Sequence, residues 1–139
     1  MNKVTKLVSA AALMSALLFN TAQADHKKGS TAALAFETSN LSYFVENSWL
    51  RYSVKNSVKR FERDVDYLSQ CVRYSSVNNI VLDHTEDEGV PRICEYNLRM
   101  AYDSFRSVDR YLYDTEWDLP NVFRAYLEVK DALYDIRIR

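Results

Sequence analysis

Val54–Val72 reads VKNSVKRFERDVDYLSQCV, and the spacing of its apolar residues decides the architecture. Val54, Val58, Phe61, Val65, Leu68 and Val72 step by 4, 3, 4, 3 and 4 positions. That rhythm holds all six on one stripe of a 3.6-residue helix and puts the charged residues on the other side. Downstream, Cys94, Leu98, Ala101, Phe105, Val108 and Leu112 repeat the same steps, and Leu119, Val122, Tyr126, Val129, Leu133 and Ile136 form a third run. No stretch alternates apolar and polar residues long enough to make a strand. The expected fold is therefore all-α: an antiparallel helical bundle of three long helices, with a short fourth helix at the N-terminus as an optional addition.

The punctuation agrees. The chain has only two glycines and two prolines, and Gly29, Gly89, Pro91 and Pro120 all fall between the periodic runs. Pro91 and Pro120 suit first helical turns, where a missing N–H costs nothing. Thr115 or Asp118 is the expected cap of the third helix, and Arg137 and Arg139 suit its C-terminal dipole.

Cys71 and Cys94 are the only cysteines. A disulfide between them ties the end of the first long helix to the start of the second. The tie sets a register in which Leu68 meets Leu98, Val65 meets Ala101, Phe61 meets Phe105 and Val54 meets Leu112. Carried further, it brings Trp49 near Glu116 and Trp117, so both tryptophans belong at the end remote from the disulfide.

A helix from Leu41 to Tyr74 would be roughly 50 Å long, against roughly 35 Å for its partner, at 1.5 Å per residue. The overhang LSYFVENSWL (41–50) is rich in aromatic groups. It is expected either to break at Asn47-Ser48 and fold back, or to pack on a second subunit as a homodimer surface. Residues 25–40 read as a flexible start, which leaves 41–139 as the bundle domain.

Residues 1–24 have the form of an export signal: Lys3 and Lys6, an apolar run from Leu7 to Phe19, and the small-residue pair Ala22 and Ala24 before Asp25. Cleavage after Ala24 would send the chain to the periplasm or the medium, where a disulfide persists. No later apolar run is long enough to span a membrane. Without Lys3 and Lys6 the 18 basic residues become 16, against 19 acidic. That balance lacks the concentrated basic excess of a nucleic-acid footprint.

Few residues suggest chemistry. His84, Glu86 and Asp87, with Asp83 and Glu88, offer metal-ligand types, but one histidine falls short of a zinc site and the order does not match a calcium loop. A solvated acidic loop ahead of a helix N-terminus is the plainer expectation. His26, second in the cleaved chain, could join an amino terminus around copper only if cleavage falls as predicted. There is no Gly-x-Ser-x-Gly elbow, no paired Glu-x-x-His and no Cys-x-x-Cys-His. Neither an enzyme nor a cofactor is expected, and Glu62 and Asp66 are expected to pair with Arg60 or Arg63.

Two surfaces remain as binding candidates. Arg51, Lys55, Lys59 and Arg63 form a ridge at four-residue spacing, suited to an anionic partner. Tyr43, Phe44, Trp49 and Trp117 form an aromatic set, in a chain with 10 tyrosines, and such side chains are enriched at protein interfaces. The sequence thus points to an exported, non-catalytic binding protein whose partner is another protein or an envelope component. A stress chaperone using the aromatic overhang, and a metal-binding protein or enzyme built on His84, are the alternatives.

Overall fold

The computed structural model describes residues 29–78 and 89–138. Four helices account for most of them: α1 (Thr31–Glu46), α2 (Tyr52–Asn78), α3 (Glu95–Leu112, entered through a 3₁₀ turn at Arg92–Cys94) and α4 (Pro120–Tyr134). Among the described residues there is no strand, only an isolated parallel bridge between Val90 and Ile138. No helix there is long and apolar enough to cross a membrane.

The optional fourth helix at the N-terminus is present as α1, and the expected flexible start is corrected by it. The helix begins at Thr31, where the Ser30 hydroxyl caps it by accepting from the Ala33 N–H at 3.0 Å. Residues 31–40, expected to be flexible, are ten of its 16 residues, and 41–46 of the expected overhang complete it; residues 25–28 and the expected export signal at 1–24 lie outside the described residues. The chain leaves α1 at Asn47-Ser48. There the Asn47 side-chain amide donates to the Tyr43 carbonyl at 2.8 Å and the Ser48 hydroxyl to the Val45 carbonyl at 2.7 Å, adding to the backbone N–H bonds that the same two residues make to these carbonyls.

Each helix packs on its two neighbours in a ring, α1 on α2, α2 on α3, α3 on α4, and α4 back on α1. Side-chain pairs give the directions. Ser42 bonds Glu62 across α1 and α2, Phe61 meets Phe105 across α2 and α3, and Tyr102 reaches Leu133 across α3 and α4. The Cys71–Cys94 disulfide is formed, with Cα atoms 5.9 Å apart. Phe61 and Phe105 pair as the register from that bridge predicts, their ring centroids 5.2 Å apart.

The core takes every member of the first two runs, Val54 to Val72 and Cys94 to Leu112, together with Val122, Tyr126, Val129, Leu133 and Ile136. From α1 it takes Leu34, Leu41 and Val45, with Thr31 and Thr38 between them. α3 and α4 approach less closely along their backbones than the other neighbours do, because rings fill the space. Phe105 stacks on Tyr126 with centroids 6.0 Å apart, and Tyr102 stacks on Tyr134 at 5.7 Å.

The disulfide end is drawn shut by backbone. Val90 donates to the Arg137 carbonyl at 2.9 Å. Gly29, at φ +84°, passes so near the end of α4 that a Cβ there would sit 2.9 Å from the Asp135 carbonyl oxygen. Thr115 and Asp118 are not caps of α4; the N-cap is Leu119, with Pro120 in the first turn. Thr115 is buried and turned back, its hydroxyl donating to the Leu112 carbonyl at 2.8 Å, where it closes α3 instead.

Candidate functional site

Thr31, Cys71, Cys94 and Tyr134 mark one end of the ring, so the α1–α2 turn (47–51) and the α3–α4 turn (113–119) both lie at the other. Each turn ties its backbone inward and its aromatic residue outward. In the first, the Ser48 hydroxyl also accepts from the Leu50 N–H at 3.2 Å. In the second, the Thr115 carbonyl accepts from the Leu119 N–H at 2.8 Å. Trp49 is left 72% exposed and Trp117 89% exposed. Neither indole stacks on another ring among the described residues.

Tyr43 and Phe44, the other members of the aromatic set, approach the same end from the last turns of α1. Their rings meet edge-on at 5.6 Å, and both are exposed. Tyr52 and Tyr113 add two more exposed rings beside the turns. An isolated exposed aromatic residue needs no explanation, whereas these residues gather exposed aromatic area at one end of a small domain.

The charges at this end are divided by turn. Arg51 and Lys55 stand where α2 begins, while Asp114, Glu116 and Asp118 stand in the α3–α4 turn. None of these five makes an ion pair among the described residues.

The members of the expected basic ridge differ in their surroundings. Its lower half is engaged within the molecule: Lys59 lies 3.6 Å from Glu46, and Arg63 lies 3.7 Å from the buried Asp64. Only Arg51 and Lys55 keep their charge uncompensated, and they belong to the aromatic end. Glu62 and Asp66 do not pair with Arg60 or Arg63 either. Glu62 accepts from the Ser42 hydroxyl of α1 at 2.9 Å, and Asp66 accepts from the Gln70 amide at 2.7 Å.

Two clefts flank α1. One, of about 540 Å³, lies against α2 between Lys59, Glu62, Arg63 and Asp66. The other, of about 260 Å³, lies against α4 and is lined by Glu37, Asn40, Phe44, Arg124 and Glu128. Glu37 is only 6% exposed. Its burial, and next the carboxylate of Glu128, push its pKa up to about 7, with the Asn40 side chain opposing. Sequence reasoning missed this residue, because it lies in the segment read as flexible.

The tyrosines divide. Tyr126 is buried and donates its hydroxyl to the Asp109 carboxylate, which Lys130 also approaches at 3.3 Å. Tyr102 is half-buried and donates to the Leu133 carbonyl at 3.2 Å. Tyr67, Tyr74, Tyr96, Tyr111, Tyr113 and Tyr134 stay exposed.

The metal-ligand candidates His84, Glu86 and Asp87, with Asp83 and Glu88, lie outside the described residues, as does His26. Among the described residues no three His, Cys, Asp or Glu side chains gather as a metal site. Compared with known protein families, curated proteins and solved structures, the chain matches none.

Proposed function

We propose that this chain is an exported, non-catalytic binding protein: an antiparallel bundle whose aromatic end is the docking surface for a protein partner. The observation that carries the reading is the exposure of Trp49 and Trp117 on two turns at the same end, 72% and 89% respectively. Tryptophan is the side chain most enriched at interface hot spots, and burying one removes 150–250 Å² or so of apolar surface from water. The turns that carry the indoles are held by their own hydrogen bonds, so docking orders little and the entropic cost of binding stays small.

Export is supported by the form of residues 1–24 and by the disulfide, which suits an oxidising compartment. The non-catalytic part of the proposal rests on the sequence, which holds no Gly-x-Ser-x-Gly elbow, no paired Glu-x-x-His and no Cys-x-x-Cys-His.

The test is a photoreactive side chain. With benzoylphenylalanine in place of Trp117, irradiation of cells making the protein is expected to yield covalent adducts. The same probe in place of Arg106, exposed midway along α3, is expected to yield none. Equal labelling from the two positions, or no adduct from either, would sink the reading.

A further inference from the structure

The charges at the aromatic end are divided by sign between its two turns. Arg51 and Lys55 stand at the start of α2, whose first turn holds no acidic residue. Asp114 and Glu116 stand in the α3–α4 turn, between the end of α3 at Leu112 and the start of α4 at Pro120. None of the four makes an ion pair among the described residues. A charge with no ion pair inside the chain can take its counterpart from a partner.

The counterpart is available in the molecule itself. The basic pair and the acidic pair occupy the two turns of one bundle end, on opposite sides of the ring. A two-fold axis across that end, parallel to both turns, lays the α1–α2 turn of one copy over the α3–α4 turn of the other. The same operation brings Trp49 of each copy towards Trp117 of its mate. We infer that the aromatic end is an isologous homodimer surface, in which Arg51 and Lys55 of one copy face Asp114 and Glu116 of a second copy. This rests on the reading of that end as a docking surface and names its occupant.

The size of the end sets the strength. Helices 8–10 Å apart make a bundle end roughly 20 Å across, so a pair of copies buries on the order of 800 Å² in total, at the low end for specific contacts. The dimer is therefore weak and salt-sensitive, with a Kd on the order of 1–100 µM. Other occupants fit less well. An anionic lipid surface would be repelled by the acidic turn, and a neutral one would leave both charge pairs unmatched.

The experiment is sedimentation velocity of the purified protein from roughly 0.5 to 500 µM, a range that brackets this affinity. Two double variants are compared, Arg51→Glu/Lys55→Glu and Asp114→Lys/Glu116→Lys. None of the four substituted side chains is buried, so folding is expected to be retained, and far-UV circular dichroism checks it. The wild type is expected to dimerise, and the dimer to weaken at least tenfold in 0.5 M salt or so, where the Debye length falls to a few ångströms. Each variant alone is expected to be monomeric, since its own two turns carry like charge. An equimolar mixture of the two is expected to restore a dimer, because every facing pair is then opposite in sign.

Trp117→Ala, changing a residue with no packing to lose, is expected to weaken the wild-type dimer as well. A wild type monomeric throughout the range would overturn the inference. So would variants that dimerise like wild type, a mixture that stays monomeric, or a monomer that binds phosphatidylcholine or phosphatidylglycerol vesicles instead of itself. A monomeric wild type that still crosslinks to another protein through position 117 would remove self-pairing and leave the docking reading in place.

Discussion

Phe61 of α2 and Phe105 of α3 meet with ring centroids 5.2 Å apart, in the register dictated by a disulfide ten residues further along α2. At 1.5 Å per residue that is roughly 15 Å from the bridge. The covalent tie and the aliphatic stripes therefore enforce one and the same alignment, and each limits slippage of the other.

Replacing both Cys71 and Cys94 by alanine tests what the tie contributes. The bridged residues are 23 apart in sequence, and closing such a loop stabilises the fold by about 3.5 kcal/mol through the unfolded chain. The stripes remain, so the variant is expected to keep its helical circular dichroism while its free energy of unfolding in urea titration falls by that amount. A loss below about 1 kcal/mol would mean that the stripes alone restrict the unfolded ensemble.

Phe105 is the ring on which three helices converge. It touches Phe61 of α2, stacks on Tyr126 of α4 and meets Tyr134 edge-on at 6.3 Å. Phe105→Ala is expected to cost about 3–5 kcal/mol, since the ring is buried among three others and its removal leaves a cavity. Tyr126→Phe keeps the ring and removes only the hydroxyl that Asp109 accepts, so about 1–2 kcal/mol is expected. Equal losses from the two variants would contradict this account of the α3–α4 seam.

Why α2, α3 and α4 were legible in full and α1 only as an optional helix comes down to particular residues. The α2 stripe is aliphatic or aromatic at every step, and its outer face is charged. In α1 the inward stripe runs Thr31, Leu34, Thr38, Leu41, Val45, with Glu37 buried beside it, while Tyr43 and Phe44 face outward. Polar groups inside and aromatic groups outside erase the contrast on which periodicity reasoning depends. Thr38 is tolerated because its hydroxyl donates to the Leu34 carbonyl at 2.7 Å, a satisfaction no pattern reveals. The aromatic residues of the candidate surface were visible as residue types, and the disulfide register placed both tryptophans at one end. The division of charge between the two turns needed α1 in place, because only its return fixes the α1–α2 turn opposite the α3–α4 turn.

Gly29 offers a local test of that return. Its φ of +84° is one that L side chains rarely adopt, and an added Cβ would press on the Asp135 carbonyl oxygen at 2.9 Å. Gly29→Ala is expected to cost about 1–2 kcal/mol. Hydrogen exchange should localise the weakening to the start of α1 and the end of α4. Faster exchange spread evenly over all four helices would count against this contact.

Glu37 gives the seam between α1 and α4 a dependence on pH. Its carboxyl titrates near 4.5 when solvated and about 7 in the fold, chiefly through burial and then through Glu128. A raised carboxyl pKa means that the folded state binds the proton more tightly than the unfolded chain does. The associated stability is fully present below pH 4.5 and is lost as pH rises through about 7. A displacement of this size corresponds to about 3 kcal/mol. Glu37→Gln keeps the shape, cannot ionise, and removes the charge facing Glu128. The variant is therefore expected to exceed wild type in stability at pH 8 and to lose that advantage by pH 4.5, with the change concentrated between these values. Urea unfolding of both proteins across that range isolates the residue, because every other carboxylate is common to the two. Parallel stability curves would show that Glu37 is ionised in the fold at neutral pH and that α1 and α4 hold its charge without penalty.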